Sequence, residues 1–163
     1  MAEIRLRGIT SLKVGDILPS GGMATTLAAF GVTYEGTATL ETAEAAITDF
    51  FSEENDTPEE SVAIPGKTTV KWSTIDFTPA TLDAELGGTV VGTKWEAPSA
   101  VETIEKSIEI ITRTGVHIDI ARAKIDARIV ASLSKSALGQ VEIIATVLTP
   151  TLAGLAPMHI HHP

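Results

Sequence analysis

Between Val101 and Thr149 the chain is an almost unbroken run of β-branched and alternating residues, interrupted only at Arg113-Thr114-Gly115 and from Lys135 to Gln140. Alternation with a period of two is the signature of strands, so this third of the sequence predicts four long strands in two hairpins. Such strands carry wide apolar faces and rows of backbone N–H and C=O groups that must be paired, covered or closed. The apolar content is 44% of 163 residues, with aromatics at only 4%. Ala, Val, Ile and Thr carry it, and they favour sheet surfaces over pockets built from large rings. A mean hydropathy of +0.22 is high for so short a chain, and part of this surface is expected to be buried between subunits.

The first of these hairpins can be registered from its side chains. A two-residue loop would set Ile110 opposite Asp119. A three-residue loop, Arg113-Thr114-Gly115 with glycine in the left-handed position, sets Ile110 opposite Ile118 and Ile108 opposite Ile120, and keeps one face apolar. It also places Glu109 opposite Asp119, a like-charge pair that costs roughly 0.2–1 kcal/mol unless screened. Near Ala121 the phase slips: apolar residues are even-numbered before it (Val116, Ile118, Ile120) and odd-numbered after it (Ala123, Ile125, Ala127, Ile129, Ala131, Leu133). One residue out of step is the mark of a β-bulge, which lets a sheet curl. Ile125 and Ile129 are therefore expected in buried or subunit-contacting positions. The opposite face carries Arg122, Lys124, Asp126 and Arg128. The last strand, Val141–Thr149, is apolar on both faces and reads as central or doubly covered.

The earlier chain is less regular. Residues 3–9 alternate apolar with charged residues as a short strand; Lys13–Gly31 is punctuated by Pro19, Gly21, Gly22 and Gly31; Thr33–Glu41 alternates again. Thr42 can cap a helix with apolar residues at Ala43, Ala46, Ile47, Phe50 and Phe51, a stripe at helical spacing. An acidic, proline-broken loop follows over residues 52–61, holding Glu53, Glu54, Asp56, Glu59 and Glu60. Thr68–Phe77 predicts a strand. A second, short helix has Thr78 as cap, Pro79 at its first position, Leu82 and Leu86 as its stripe and Gly87-Gly88 as its stop. Thr89–Trp95 predicts one more strand. The expected organisation is a single β-domain over residues 1–150 with a loose tail over 151–163: mainly β, an antiparallel sandwich or barrel with one flanking helix and a short second helix.

Chemistry-bearing patterns are sparse. With no cysteine there is neither a disulfide framework nor a thiolate metal site. A formal charge of −9 argues against nucleic-acid binding, which needs clustered Lys and Arg. The N-terminus predicts no signal peptide, and no apolar run approaches the roughly 20 residues of a membrane span. Pro65-Gly66-Lys67-Thr68 matches the end of a phosphate-binding loop, but the position requiring the first glycine is Ser61 and a strand, not a helix, follows. His159, His161 and His162 share their segment with no carboxylate, and His117 falls on the polar face of its hairpin. The acidic loop lacks the glycine and ligand alternation of a helix-loop-helix calcium site. No acid, base or nucleophile constellation suggests an enzyme, and no cofactor or metal is expected.

The order of the pieces is more specific than any one of them. Tyr34-Glu35-Gly36 precedes the helix ending in Phe50-Phe51 and its acidic residues. Pro65-Gly66-Lys67-Thr68-Thr69-Val70 opens a strand reaching Ile75-Asp76; Leu82–Leu86 with Gly87-Gly88 follows; a strand closes on Trp95-Glu96; and Arg122-Ala123-Lys124 begins the third of four long strands. In this order, over roughly residues 30–150, the chain resembles the major tail tube proteins of tailed bacteriophages. The resemblance implies a two-sheet β-domain that forms hexameric rings, with the long strands joining an inner barrel around a channel for DNA. It also implies stacking of rings through extended loops and the N-terminal region, here Glu53–Ser61 (Glu53, Glu54, Asp56, Glu59) and Lys13–Gly31. Further implied are initiator, terminator and tape measure proteins as partners, passage of DNA without specific binding, and a place in the virion tail after assembly in the host cytoplasm. The tube component of contractile secretion machines shares this architecture. The net-positive face of Arg122, Lys124, Asp126 and Arg128 sits awkwardly with a negative lumen unless Glu102, Glu105, Glu109 and Glu142 neutralise it. Outside this class, a monomeric small β-barrel ligand-binding domain fits the same patterns.

Overall fold

The computed structural model describes residues 3–163. Among the described residues twelve strands and one helix follow in order: β1 (Ile9–Gly15), β2 (Ala28–Ala29), β3 (Thr39–Thr42), β4 (Ala46–Ser52), β5 (Asn55–Ile64), β6 (Thr68–Thr74), α1 (Pro79–Leu86), β7 (Thr89–Val91), β8 (Lys94–Glu96), β9 (Ile104–Thr112), β10 (His117–Val130), β11 (Gln140–Val147) and β12 (Met158–His161). Strands take 49% of residues and helix 5%, so the mainly β, antiparallel expectation holds.

The main sheet runs β2-β1-β9-β10-β11-β6-β3, with β12 added to β10. Its backbone is β10, whose 14 residues outrun any single partner. One edge pairs with β9; the other is shared, β12 taking His117–Ile120 and β11 taking Ala123–Val130. The β9–β10 hairpin has the register read from its side chains: Ile110 faces Ile118, Ile108 faces Ile120, and Glu109 faces Asp119. Gly115 sits at φ +80° in its turn, a conformation that favours glycine. The register slips between Ile120 and Ala123, where the change of phase predicts a bulge. Consequently Ile118, Ile120, Ala121, Ala123 and Ile125 are all buried, although a strict alternation from Ile118 would have put the last three outside.

Core residues come from strands at both margins: Leu12 and Val14 of β1, Val70 and Trp72 of β6, joined by Ile108, Ile120, Ile143 and by Leu82 of α1. The sheet curls, and its two margins face each other across a cleft lined by β1 and β3.

Several expectations are corrected. The segment expected as a helix capped by Thr42 is strand β4, and the acidic loop over residues 52–61 is its turn and most of β5. The apolar doublets Ala46-Ile47 and Phe50-Phe51 fit helical spacing, but Ile, Thr and Phe favour extended backbone, and Asn55–Ile64 supplies a ladder for it. Of the two expected helices only the short one forms. Residues 3–8 are not strand; the strand begins at Ile9 and runs through Gly15 into the region read as irregular. The 33–41 strand shortens to Thr39–Thr42 plus an isolated Thr33–Thr74 bridge. Thr89–Trp95 is a hairpin of two strands turning at Gly92. Strand β10 stops at Val130, leaving Leu133 exposed. The segment expected as a loose tail contains β12, which pairs with β10.

Candidate assembly surface

The β3–β6 ladder does not end at the edge of the body. The Ala43 N–H donates to Lys67 O at 3.0 Å, the Thr42 and Thr68 hydroxyls meet at 2.9 Å, and the chain then runs out as the separate two-stranded ribbon β4–β5. At this neck a Cβ on Gly66 would lie 2.0 Å from the Ala43 carbonyl oxygen. Pro65-Gly66-Lys67-Thr68 is thus the turn that admits two strands at close range, and its glycine serves a backbone approach rather than a phosphate.

Almost every residue of the ribbon is exposed. Pairing of Thr48 with Val62 and Ala46 with Ile64 puts Ala46, Thr48, Phe50, Val62 and Ile64 on one face, since alternate residues share a side. Ile47 and Phe51 fall on the opposite face by the same alternation, and the register slips between Phe50 and Ser52. Phe50 is 53% exposed, Phe51 60% and Ile64 62%. An isolated two-stranded hairpin is at best marginal in water, and such an apolar face is a contact surface awaiting a cover. The tip orders itself: Asn55 Nδ2 and Ser52 Oγ donate to Glu59 Oε1, and the Thr57 N–H donates to Asn55 Oδ1. Glu53, Glu54 and Asp56 stay exposed beyond it.

The two isoleucines singled out with these carboxylates part company. Ile125 is 3% exposed inside the core, whereas Ile129 is 46% exposed near the end of β10. The structure brings neither to the arm. Ile129 joins a separate exposed apolar group with Val130, Leu133 and Leu138 at the β10–β11 end.

The polar face of β10 is neutralised within the chain. Arg122 grips Glu105 with two hydrogen bonds, 2.8 and 2.9 Å, and donates a third to Thr149 O. That fork holds the Glu105 carboxyl below its usual range and raises Arg122. Arg128 pairs with Glu142, Lys124 with Asp126, and Glu109 with Lys13. Glu102 goes elsewhere, to the Gly88 N–H at the end of α1.

Two features were not anticipated as a group. Strand β12 lays His161 beside His117, ring centres 5.3 Å apart, with His161 Nδ1 3.5 Å from Asp119 Oδ2. This supplies the carboxylate that the histidine segment itself lacks. No group of three or more His, Asp or Glu is arranged for a metal ion among the described residues. Under α1, Glu85 is 1% exposed. Its Oε1 accepts a hydrogen bond from Thr74 Oγ1 at 2.8 Å, and its Oε2 has no partner. Burial pushes its pKa up to about 7, against the Thr74 bond that lowers it. The signal was in the sequence, since Glu85 falls on the Leu82–Leu86 stripe. Among the described residues no helix is long and apolar enough to cross a membrane.

No protein-family model matches the chain, and no curated protein matches it in sequence.

Proposed function

We propose that this protein is a structural subunit of a tube of the phage tail type, built from stacked hexameric rings around a channel for DNA. One observation carries the reading: the β4–β5 arm exposes Ile47, Phe50, Phe51, Val62 and Ile64, and among the described residues nothing covers them. An arm of this kind stabilises an assembly and destabilises a monomer. The curled sheet supports the same reading, because its margins at β2 and β3 offer unpaired backbone groups that neighbouring copies satisfy by edge-to-edge pairing. Pairing of the β10-face cations with Glu105 and Glu142 answers the awkward charge on that face, leaving a chain of formal charge −9 that repels phosphate. The resemblance supplies the hexamer, the DNA channel, and the initiator, terminator and tape measure partners. Within the same architecture the alternative is the tube component of a contractile secretion machine.

A second reading has its own observation. The cleft between β1 and β3, about 950 Å³, suits a monomeric binding domain. Negative-stain microscopy and light scattering across a concentration series separate the two. The tube reading requires annuli or tubes with a central hole; a compact monomer at every concentration, seeded with tube fragments or not, rejects it.

A further inference from the structure

We propose that His117 and His161 form a binding site for a divalent transition-metal ion, with Asp119 behind them, and that the ion fastens strand β12 to the body. The site lies within one chain and is independent of the tube reading. Strand pairing sets His117 directly against His161 and Asp119 against His159. Alternate residues share a side, so three imidazoles and one carboxylate stand on a single face of a two-strand ladder. The register is held from the other face. Met158 pairs with Ile120 and packs against the core, and the Ala121 N–H donates to Pro157 O at 3.3 Å. The histidines are therefore placed by the sheet and not by a loose tail.

The spacing is the one an ion requires. Two imidazole nitrogens, each about 2.1 Å from one tetrahedral ion, hold their ring centres about 5 Å apart. The rings of His117 and His161 are 5.3 Å apart. His161 Nδ1 lies 3.5 Å from Asp119 Oδ2, which directs the proton of that nitrogen toward the carboxylate and leaves Nε2 for the metal, as carboxylates behind histidine ligands do. Asp119 also favours a cation nearby. Its Oδ1 is buried with no hydrogen-bond partner among the described residues, and it stands opposite Glu109, whose counter-ion Lys13 is 3.6 Å away. Two carboxylates against one ammonium leave a net negative charge behind the imidazoles. A third protein ligand is not in place among the described residues, so water completes the coordination. Imidazole selects Zn²⁺, Ni²⁺ or Cu²⁺ over Mg²⁺ and Ca²⁺, which take oxygen ligands. The His161 side chain is 50% exposed, and the ion enters from solvent.

The segment His159-Ile160-His161-His162 can hold an ion by itself, so the test turns on His117, which lies outside it. Isothermal titration of the full-length chain with zinc chloride at neutral pH should show one ion per chain. His117→Gln, which keeps a polar side chain of similar size, and His161→Gln should each abolish that binding. Asp119→Asn should weaken it about tenfold or more. His162 lies over the β9–β10 turn, its Nε2 3.2 Å from where a Cβ on Gly115 would be, and His162→Gln should leave the affinity unchanged. Circular dichroism verifies the fold of each variant. A second measurement needs no substitution. Zinc at about ten times its Kd should slow amide hydrogen exchange in Met158–His161 about tenfold, and a chelator should reverse it. Affinity untouched by His117→Gln means an adventitious ion only, held by the tail, and overturns the proposal. So does unchanged exchange in β12, or no binding at millimolar zinc.

Discussion

Glu85 is the residue whose environment departs most from what its side chain prefers. A carboxyl 1% exposed, with one oxygen unpartnered, is disfavoured as an anion, and its pKa of about 7 lies above the 4.5 of an ordinary glutamate. The folded state therefore binds a proton that the unfolded state has released between about pH 4.5 and 7. Its stabilising contribution is complete below that window and is lost as pH rises through it, by up to about 3 kcal/mol. Glu85→Gln removes this titration: melting temperatures at about pH 5 and pH 8 should converge in the variant and differ in the parent. An unchanged gap would place the pH dependence in another group. Two isoleucines that look equivalent in sequence make the same point about burial. Ile125→Asp puts a charge into the core at a residue 3% exposed and should unfold the chain, a loss of several kcal/mol. Ile129→Asp, at a residue 46% exposed, should leave the circular dichroism melt within about 0.5 kcal/mol of the parent. Alternation alone could not tell them apart, because parity reports which face a residue lies on, and the end of the strand decides whether that face is covered.

At the scale of elements, legibility followed the range of the deciding interaction. The β9–β10 register and the bulge near Ala121 were readable because a hairpin's partners are near neighbours and a slip of one residue would move every isoleucine to the wrong face. Helix α1 was readable from Pro79 and Gly87-Gly88, although its cap works differently from the simple pattern. Thr78 makes no side-chain cap to the helix; instead Asp76 accepts from the Thr78 N–H and hydroxyl and from Thr81, which holds the Asp76 carboxyl below its usual range. The arm was the principal miss. Ala43–Phe51 satisfies a helical period by itself, and only the pairing of Ala46–Ser52 with Asn55–Ile64 reveals a ribbon. The sequence did hold a clue in Ser61-Val62-Ala63-Ile64, which alternates toward a segment rich in Ile, Thr and Phe. Strand β12 was missed for the same reason, since its partner is some forty residues earlier in β10. Because among the described residues the arm's two strands pair only with each other, replacing residues 46–64 by Gly-Gly should leave the thermal melt of the body within a few degrees of the parent and abolish assembly in light scattering. A body that melts far lower would mean the arm packs on its own domain.

The whole molecule is a problem in charge as much as in shape. Its cations are few, 12 against 21 acids, and most of those on the main sheet are already engaged: Arg122 with Glu105, Arg128 with Glu142, Lys124 with Asp126, Lys13 with Glu109. With those pairs in place the face of the main sheet offers few free cations to a phosphate. A conduit needs that property, since each phosphate held along its wall would have to be released for DNA to advance, and such attractions strengthen steeply as salt falls. Assembled protein should therefore leave linear duplex DNA unshifted on a gel even at about 50 mM salt. Glu105→Gln with Glu142→Gln frees Arg122 and Arg128 in every copy while leaving the apolar side of β10 untouched. That variant should retain DNA, its logarithmic salt slope steepening by about 0.9 for each phosphate the freed arginines neutralise. Retention by the parent at low salt would mean that the in-chain pairs do not shield the sheet face, and the conduit reading would lose its electrostatic basis.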